Sequence, residues 1–222
     1  MSVEMTSYDF LSRLSQLEDL AIRPSRLSGS IPSRILPPSL KSLTLTNLAI
    51  DLIDIPHLPS SLQSLSSQFK GEYEDFRELK KLPISVQHLF FQFHYKNHVI
   101  DQEFMDVFLD SLPDHLTHLS LYLTPTTDFP LSCNKTLPAS LKELYFGYQI
   151  GQDDTWLSIL PKNLVCLGIG FPITMEEEWS ILRERCPNLW LLKRRSSQIK
   201  IPDDLQYLES DYFPEPFYSY WN

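Results

Sequence analysis

Apolar residues recur along this chain in one register, Leu-Pro-x-x-Leu-x-x-Leu-x-Φ, where Φ is an apolar side chain. The clearest copy runs from Leu137 to Phe146. Close copies run from Leu36 to Leu45, Leu58 to Leu65 (which stops short of the last apolar residue), Leu82 to Phe91 with Val86 for a leucine, Leu112 to Leu121, and Leu160 to Ile169. A damaged copy begins at Ile201-Pro202. The apolar residue three places after each Pro falls at 40, 62, 86, 116, 141 and 164, at intervals of 22, 24, 30, 25 and 23. Self-similarity at this period is the mark of stacked repeat units.

Within a copy, Leu-x-x-Leu-x-Φ predicts irregular backbone leading into a short strand of period two. Leu141, Leu144 and Phe146 then point inward, and Glu143, Tyr145 and Gly147 outward. One unit cannot bury its own leucines, whereas stacked units close a continuous core and align their strands as a parallel sheet. The Pro stands just before the strand, where its missing N–H breaks no ladder bond and a preceding helix stops. That position accounts for six of the 17 prolines. The predicted fold is α/β: a curved leucine-rich-repeat solenoid. Its parallel β-sheet lies on the concave side, with short helices and irregular segments on the convex side.

The segments between copies predict that second layer. Residues 47–57 are too short for more than extended or 3₁₀ backbone. Helical spacing appears at 72–81, at 153–160 and most clearly at 101–110, where Phe104, Val107, Phe108 and Leu112 share a face. Thr174-Met175-Glu176-Glu177 reads as a capping box opening a helix to Arg185. Residues 1–35 form an N-terminal cap: a short helix at Ser7 to Leu11 with Ser7 as N-cap, a strand motif without its Pro from Leu14 to Ile22, and a loop from Pro24 to Ser33. After Leu189 the interval drops to 16, so 186–222 is a C-terminal cap with an acidic, aromatic tail. The expectation is one domain over 1–222, with repeats at 36–185.

The motif Leu-Pro-x-Ser-Leu-x-x-Leu at Leu36, Leu58 and Leu137 resembles leucine-rich repeats of the FNIP kind, found in amoebal and related proteins. It is also similar to the Leu-Pro-x-x-Leu-x-x-Leu units of bacterial secreted effector ligases. The match at Leu137 continues through Phe146-Gly147-Tyr148-Gln149-Ile150, although the Phe-Asn-Ile-Pro core is absent, and Asn47 stands where the family carries an Asn after the strand. The resemblance covers roughly residues 36–169. Some proteins of this kind carry an F-box, which implies a substrate-recognition part of a ubiquitin ligase. The residues before Leu36 show no match to one.

Charge and cysteines narrow the function classes. A formal net charge of −9 argues against general nucleic-acid or anionic-membrane binding, which needs a basic footprint. The three cysteines, Cys133, Cys166 and Cys186, are odd in number and lack CxxC spacing. A disulfide framework is therefore not expected, and a reducing, cytoplasmic compartment is, with the nucleus left open. Met1 to Thr6 lacks a basic region followed by an apolar core, so no secretion signal is expected, and Asn134-Lys135-Thr136 is read as a chance acceptor sequence. No uncharged apolar run approaches the ~18 residues of a membrane helix.

Reading the outward strand positions in order gives the surface on which function is expected. The flanking rows are small and hydroxylic: Ser42, Thr44 and Thr46, then Ser64, Ser66 and Gln68. The central rows are His88, Phe90 and Gln92, then His118, Ser120 and Tyr122, then Glu143, Tyr145 and Gly147, followed by Cys166 and Gly168. His88, His118, Glu143 and Cys166 would stack in one column, and Phe90, Ser120 and Tyr145 in the next. The column admits a metal-ligand or Cys–His reading, but an open strand surface supplies neither a closed coordination shell nor exclusion of water. His94 and His98 fall in a loop, Gly168-Ile169-Gly170 lies in a strand, and Lys193-Arg194-Arg195 is the one basic patch. The expected role is therefore non-catalytic, without cofactor or metal: recognition of another protein through His88, Phe90, Gln92, His118, Tyr122, Glu143 and Tyr145. The alternatives are a structural subunit of a larger assembly, held by tail or convex helices, and the ligase part that the resemblance implies.

Overall fold

Each leucine motif turns, extends and pairs with the next. The computed structural model describes residues 8–23, 29–93, 102–123, 135–146, 154–169, 176–189, 191–194 and 206–209. Their strands are β1 (Asp19–Ile22), β2 (Gly29–Ser30), β3 (Ser42–Asp51), β4 (Ser64–Lys70), β5 (His88–Phe93), β6 (His118–Leu123), β7 (Glu143–Phe146), β8 (Cys166–Ile169), β9 (Leu191–Arg194) and β10 (Gln206–Glu209). They form a ten-stranded sheet in the order β1-β3-β4-β5-β6-β7-β8-β9-β10, with the short β2 beside β3. All these pairings are parallel. The fold is mixed α/β.

Parallel neighbours need a crossover between them, and the crossovers form the second layer. It holds 3₁₀ segments at Asp9–Arg13, Ser33–Ile35, Leu52–His57, Tyr73–Lys81 and Asp154–Ile159, with helices α1 (Gln102–Ser111) and α2 (Glu176–Arg185). These touch in chain order, from the first 3₁₀ segment to α1 and again from Asp154–Ile159 to α2. Between the layers lies one continuous apolar cluster reaching from Ile31 to Cys186. Its centre is aromatic. Phe91 stacks on Phe69 at 4.7 Å and packs on Phe108 at 5.0 Å, and Phe76 meets Phe108 edge-on at 6.0 Å. Among the described residues no helix is long and apolar enough to cross a membrane.

The Leu-Pro motif has a constant local geometry. The amide of the marker residue donates to the Pro carbonyl three residues earlier in all six copies, from Leu40 to Pro37 through Leu164 to Pro161. The residue just before the marker reaches back to the preceding copy. Ser39 Oγ donates to the Leu17 carbonyl at 2.8 Å, Ser85 Oγ to Leu62 at 2.6 Å and Ser140 Oγ to Leu116 at 2.6 Å. Ser61 Oγ lies 2.7 Å from the carbonyls of both Pro38 and Leu40. His115 and Asn163 also reach the preceding copy, with a ring nitrogen on the Pro83 carbonyl and an amide nitrogen on the Ala139 carbonyl. The Ser of Leu-Pro-x-Ser-Leu is therefore a backbone cap between successive turns, a role the motif alone does not disclose.

Several expectations change. Residues 73–81 are helical as expected but wound as 3₁₀, opened by a reciprocal capping box between Glu72 and Asp75 that the sequence reading missed. In α1 Met105, Phe108 and Leu109 are buried and Val107 half-buried, with Leu112 buried just beyond its end, and the Phe104 side chain lies outside the described residues. The loop at Pro24 to Ser33 contributes strand β2, and Ser33 opens a 3₁₀ turn. The Φ position of the short copy is Ser67, fully buried beside Phe91, its hydroxyl on the Gln68 carbonyl. β9 and β10 continue the sheet in register within the region read as a cap. Tyr8 precedes the first 3₁₀ turn without a side-chain cap, whereas Ser7 and Thr174 lie outside the described residues.

Candidate functional site

Strands β4 to β7 place the expected columns side by side. Ser64, His88, His118, Glu143 and Cys166 are successive register partners, and so are Ser66, Phe90, Ser120, Tyr145 and Gly168. Gln68, Gln92 and Tyr122 make a third row. Period-two alternation sends Leu65, Leu89, Leu119 and Leu144 into the core, which leaves this set on the opposite face.

The side chains of the first column interact closely. The rings of His88 and His118 stack with centroids 4.0 Å apart and 18° between planes. His118 Nε2 lies 3.4 Å from Glu143 Oε1, and its Nδ1 lies 2.8 Å from Thr117 Oγ1. His118 and Glu143 side chains are about one-third exposed. The pKa of His88 is lowered, first by desolvation and next by His118, with Glu143 pulling the other way. In the next columns, Phe90 and Tyr122 lie nearly parallel, with centroids 6.4 Å apart. An open depression of about 290 Å³ is lined by Ser66 and Ser120, by His88, His118 and Phe90, and by Glu143 and Tyr145.

Tyr145 departs from expectation. It is only 8% exposed although it stands on the outer face. Its ring lies over Gly168, where a Cβ would overlap it, and its hydroxyl is 3.3 Å from Glu143 Oε2 and 3.6 Å from Cys166 Sγ. Desolvation, then the contacts with Cys166 and Glu143, push the phenol well above the usual tyrosine range. Gln92 is also buried, at 8% exposure, and Cys166 is covered at 2%. Thr46, read as outward, is buried because the register of β3 shifts between Thr44 and Ala49, around Asn47 at φ 61. Asn tolerates that left-handed conformation better than most residues.

Of the seven proposed contacts, then, His88, Phe90, His118, Tyr122 and Glu143 are accessible, and Gln92 and Tyr145 are packed between them. His94, His98, Gly147, Gly170, Arg195 and the tail beyond Glu209 lie outside the described residues, as do the side chains of β9 and β10. Among the described residues no three His, Cys, Asp or Glu side chains converge on a point that could hold a metal ion. No protein-family model matches the chain, and no curated protein matches it in sequence.

Proposed function

We propose that the chain is a leucine-rich-repeat solenoid and that it is a non-catalytic module recognising another protein through the outer face of β5 to β7. The observation that carries this is the depression bordered by Phe90, the His88–His118 stack and Glu143, with Tyr122 alongside. Amphipathic aromatic groups around a small concavity, ringed by hydroxyls, are the usual composition of a binding hot spot. Recurrence of the same turn in all six copies, and of the serine reach-back in four of them, supports the repeat architecture. Geometry also disfavours nucleophilic catalysis. The His118 imidazole lies against the Glu143 carboxylate and the Thr117 hydroxyl rather than a thiol, and the Cys166 thiol is covered and in contact with a phenol.

The test is capture of partners by three folded proteins: wild type, a Phe90→Ala/Tyr122→Ala variant, and a chain ending at Ser210. Tyr145 is left intact because it is a packing residue. Partners lost only in the double variant support recognition by this face. Partners lost only on truncation overturn it in favour of a subunit docked by its tail.

A further inference from the structure

The chemistry of the depression selects among protein partners. We propose that it receives a cationic side chain, arginine above lysine, presented by a basic segment of the partner; this rests on the recognition reading above. Among the described residues, Glu143 is the only charged one lining the depression besides the two imidazoles, and no Lys or Arg lines it. Its carboxylate contacts, 3.4 Å to His118 and 3.3 Å to Tyr145, are at or beyond the long end of the hydrogen-bond range. A carboxylate has about four acceptor sites, so it retains capacity for a forked donor. The Phe90 side chain lines the same depression, and an aromatic ring attracts a cation. Ser66 also lines the depression, and its buried hydroxyl has no hydrogen-bond partner among the described residues.

The alternatives fit less well. An anion would meet Glu143 with no basic side chain among the described lining residues to hold it, on a chain whose net charge is −9. That same charge draws a basic segment from a distance. A planar guanidinium can pair with the carboxylate through two N–H groups and stack on an aromatic ring, which an ammonium cannot do together. Acidification should oppose binding. His88 lies beside His118 on β6 and Ser64 on β4, with Glu143 one strand further on β7, so a proton taken up by His88 places a second cation in the depression.

The experiment titrates the full chain with blocked tripeptides Ala-x-Ala, where x is arginine, its neutral isostere citrulline, lysine, leucine or glutamate. The imidazole resonances of His88 and His118 are followed by NMR. The arginine peptide should shift both saturably and bind about fivefold to tenfold more tightly than the citrulline peptide. Glu143→Gln should erase that preference. Phe90→Leu should erase the preference for arginine over lysine, and both variants should melt as wild type does. Arginine affinity should fall from about pH 8 to about pH 5.5. Equal binding of arginine and citrulline peptides overturns the proposal. If leucine or glutamate peptides then shift the histidines instead, protein recognition by this face survives without the cation. If no peptide shifts them, the cation site is overturned, and the capture experiment judges the recognition reading on its own.

Discussion

Tyr145 and Gly168 show how one residue depends on its register partner. The aromatic ring is buried on an outer face only because the adjacent strand carries no side chain at Gly168. A methyl at that position must displace the ring, so Gly168→Ala should cost about 1–3 kcal/mol. It should also release the phenol. In wild type Tyr145 ionises later in the folded state than in the unfolded one, so its contribution to stability is complete below about pH 10 and declines above it. Alkaline spectrophotometric titration of the variant should show one additional tyrosine ionising near the ordinary value. His88 titrates in the opposite sense. Its lowered folded pKa gives stability that is complete above about pH 6.5 and declines as pH falls through the lowered value. His118→Asn removes one of the two causes and should move the His88 resonance titration upward. An unchanged midpoint would show that the stacked ring has no electrostatic effect. The columns themselves were legible in the sequence, but alternation placed Tyr145 and Cys166 outward and had no means to see a ring lie across a glycine one strand away.

At the scale of elements, the repeated motif was legible because each of its positions answers a local backbone requirement. Pro stops the crossover, the marker residue closes the turn on the Pro carbonyl, and alternate leucines enter the core. The position before the marker is different, because its requirement comes from the neighbouring copy. Its polar side chain satisfies a carbonyl that the preceding turn leaves toward the interior. Ser85→Ala should therefore cost about 1 kcal/mol in denaturant unfolding, although no partner contact is touched. A loss no larger than that of an exposed serine, such as Ser12→Ala, would remove the capping role. The 3₁₀ winding of residues 73–81 and the bend of β3 at Asn47 depended on packing against adjacent crossovers and on a register shift. Periodicity reports neither.

Across the whole molecule, each strand contacts its neighbours in the sheet, and the crossovers touch in chain order, so a central deletion is felt on both sides. Leu144, fully buried in β7, should cost about 2–5 kcal/mol as Leu144→Ala, read by thermal or urea unfolding. The same substitution at exposed Leu14 should cost far less. The strand order, the face each strand buries and the lateral columns were determined by the sequence itself, because side-chain period and repeat interval are local quantities that add along the chain. Tertiary structure alone decided which outer residues remain accessible, how His88 stacks on His118, and where the depression opens. Those outcomes depend on the volumes and charges of residues some 21 to 30 positions apart, brought beside one another only when the strands pair.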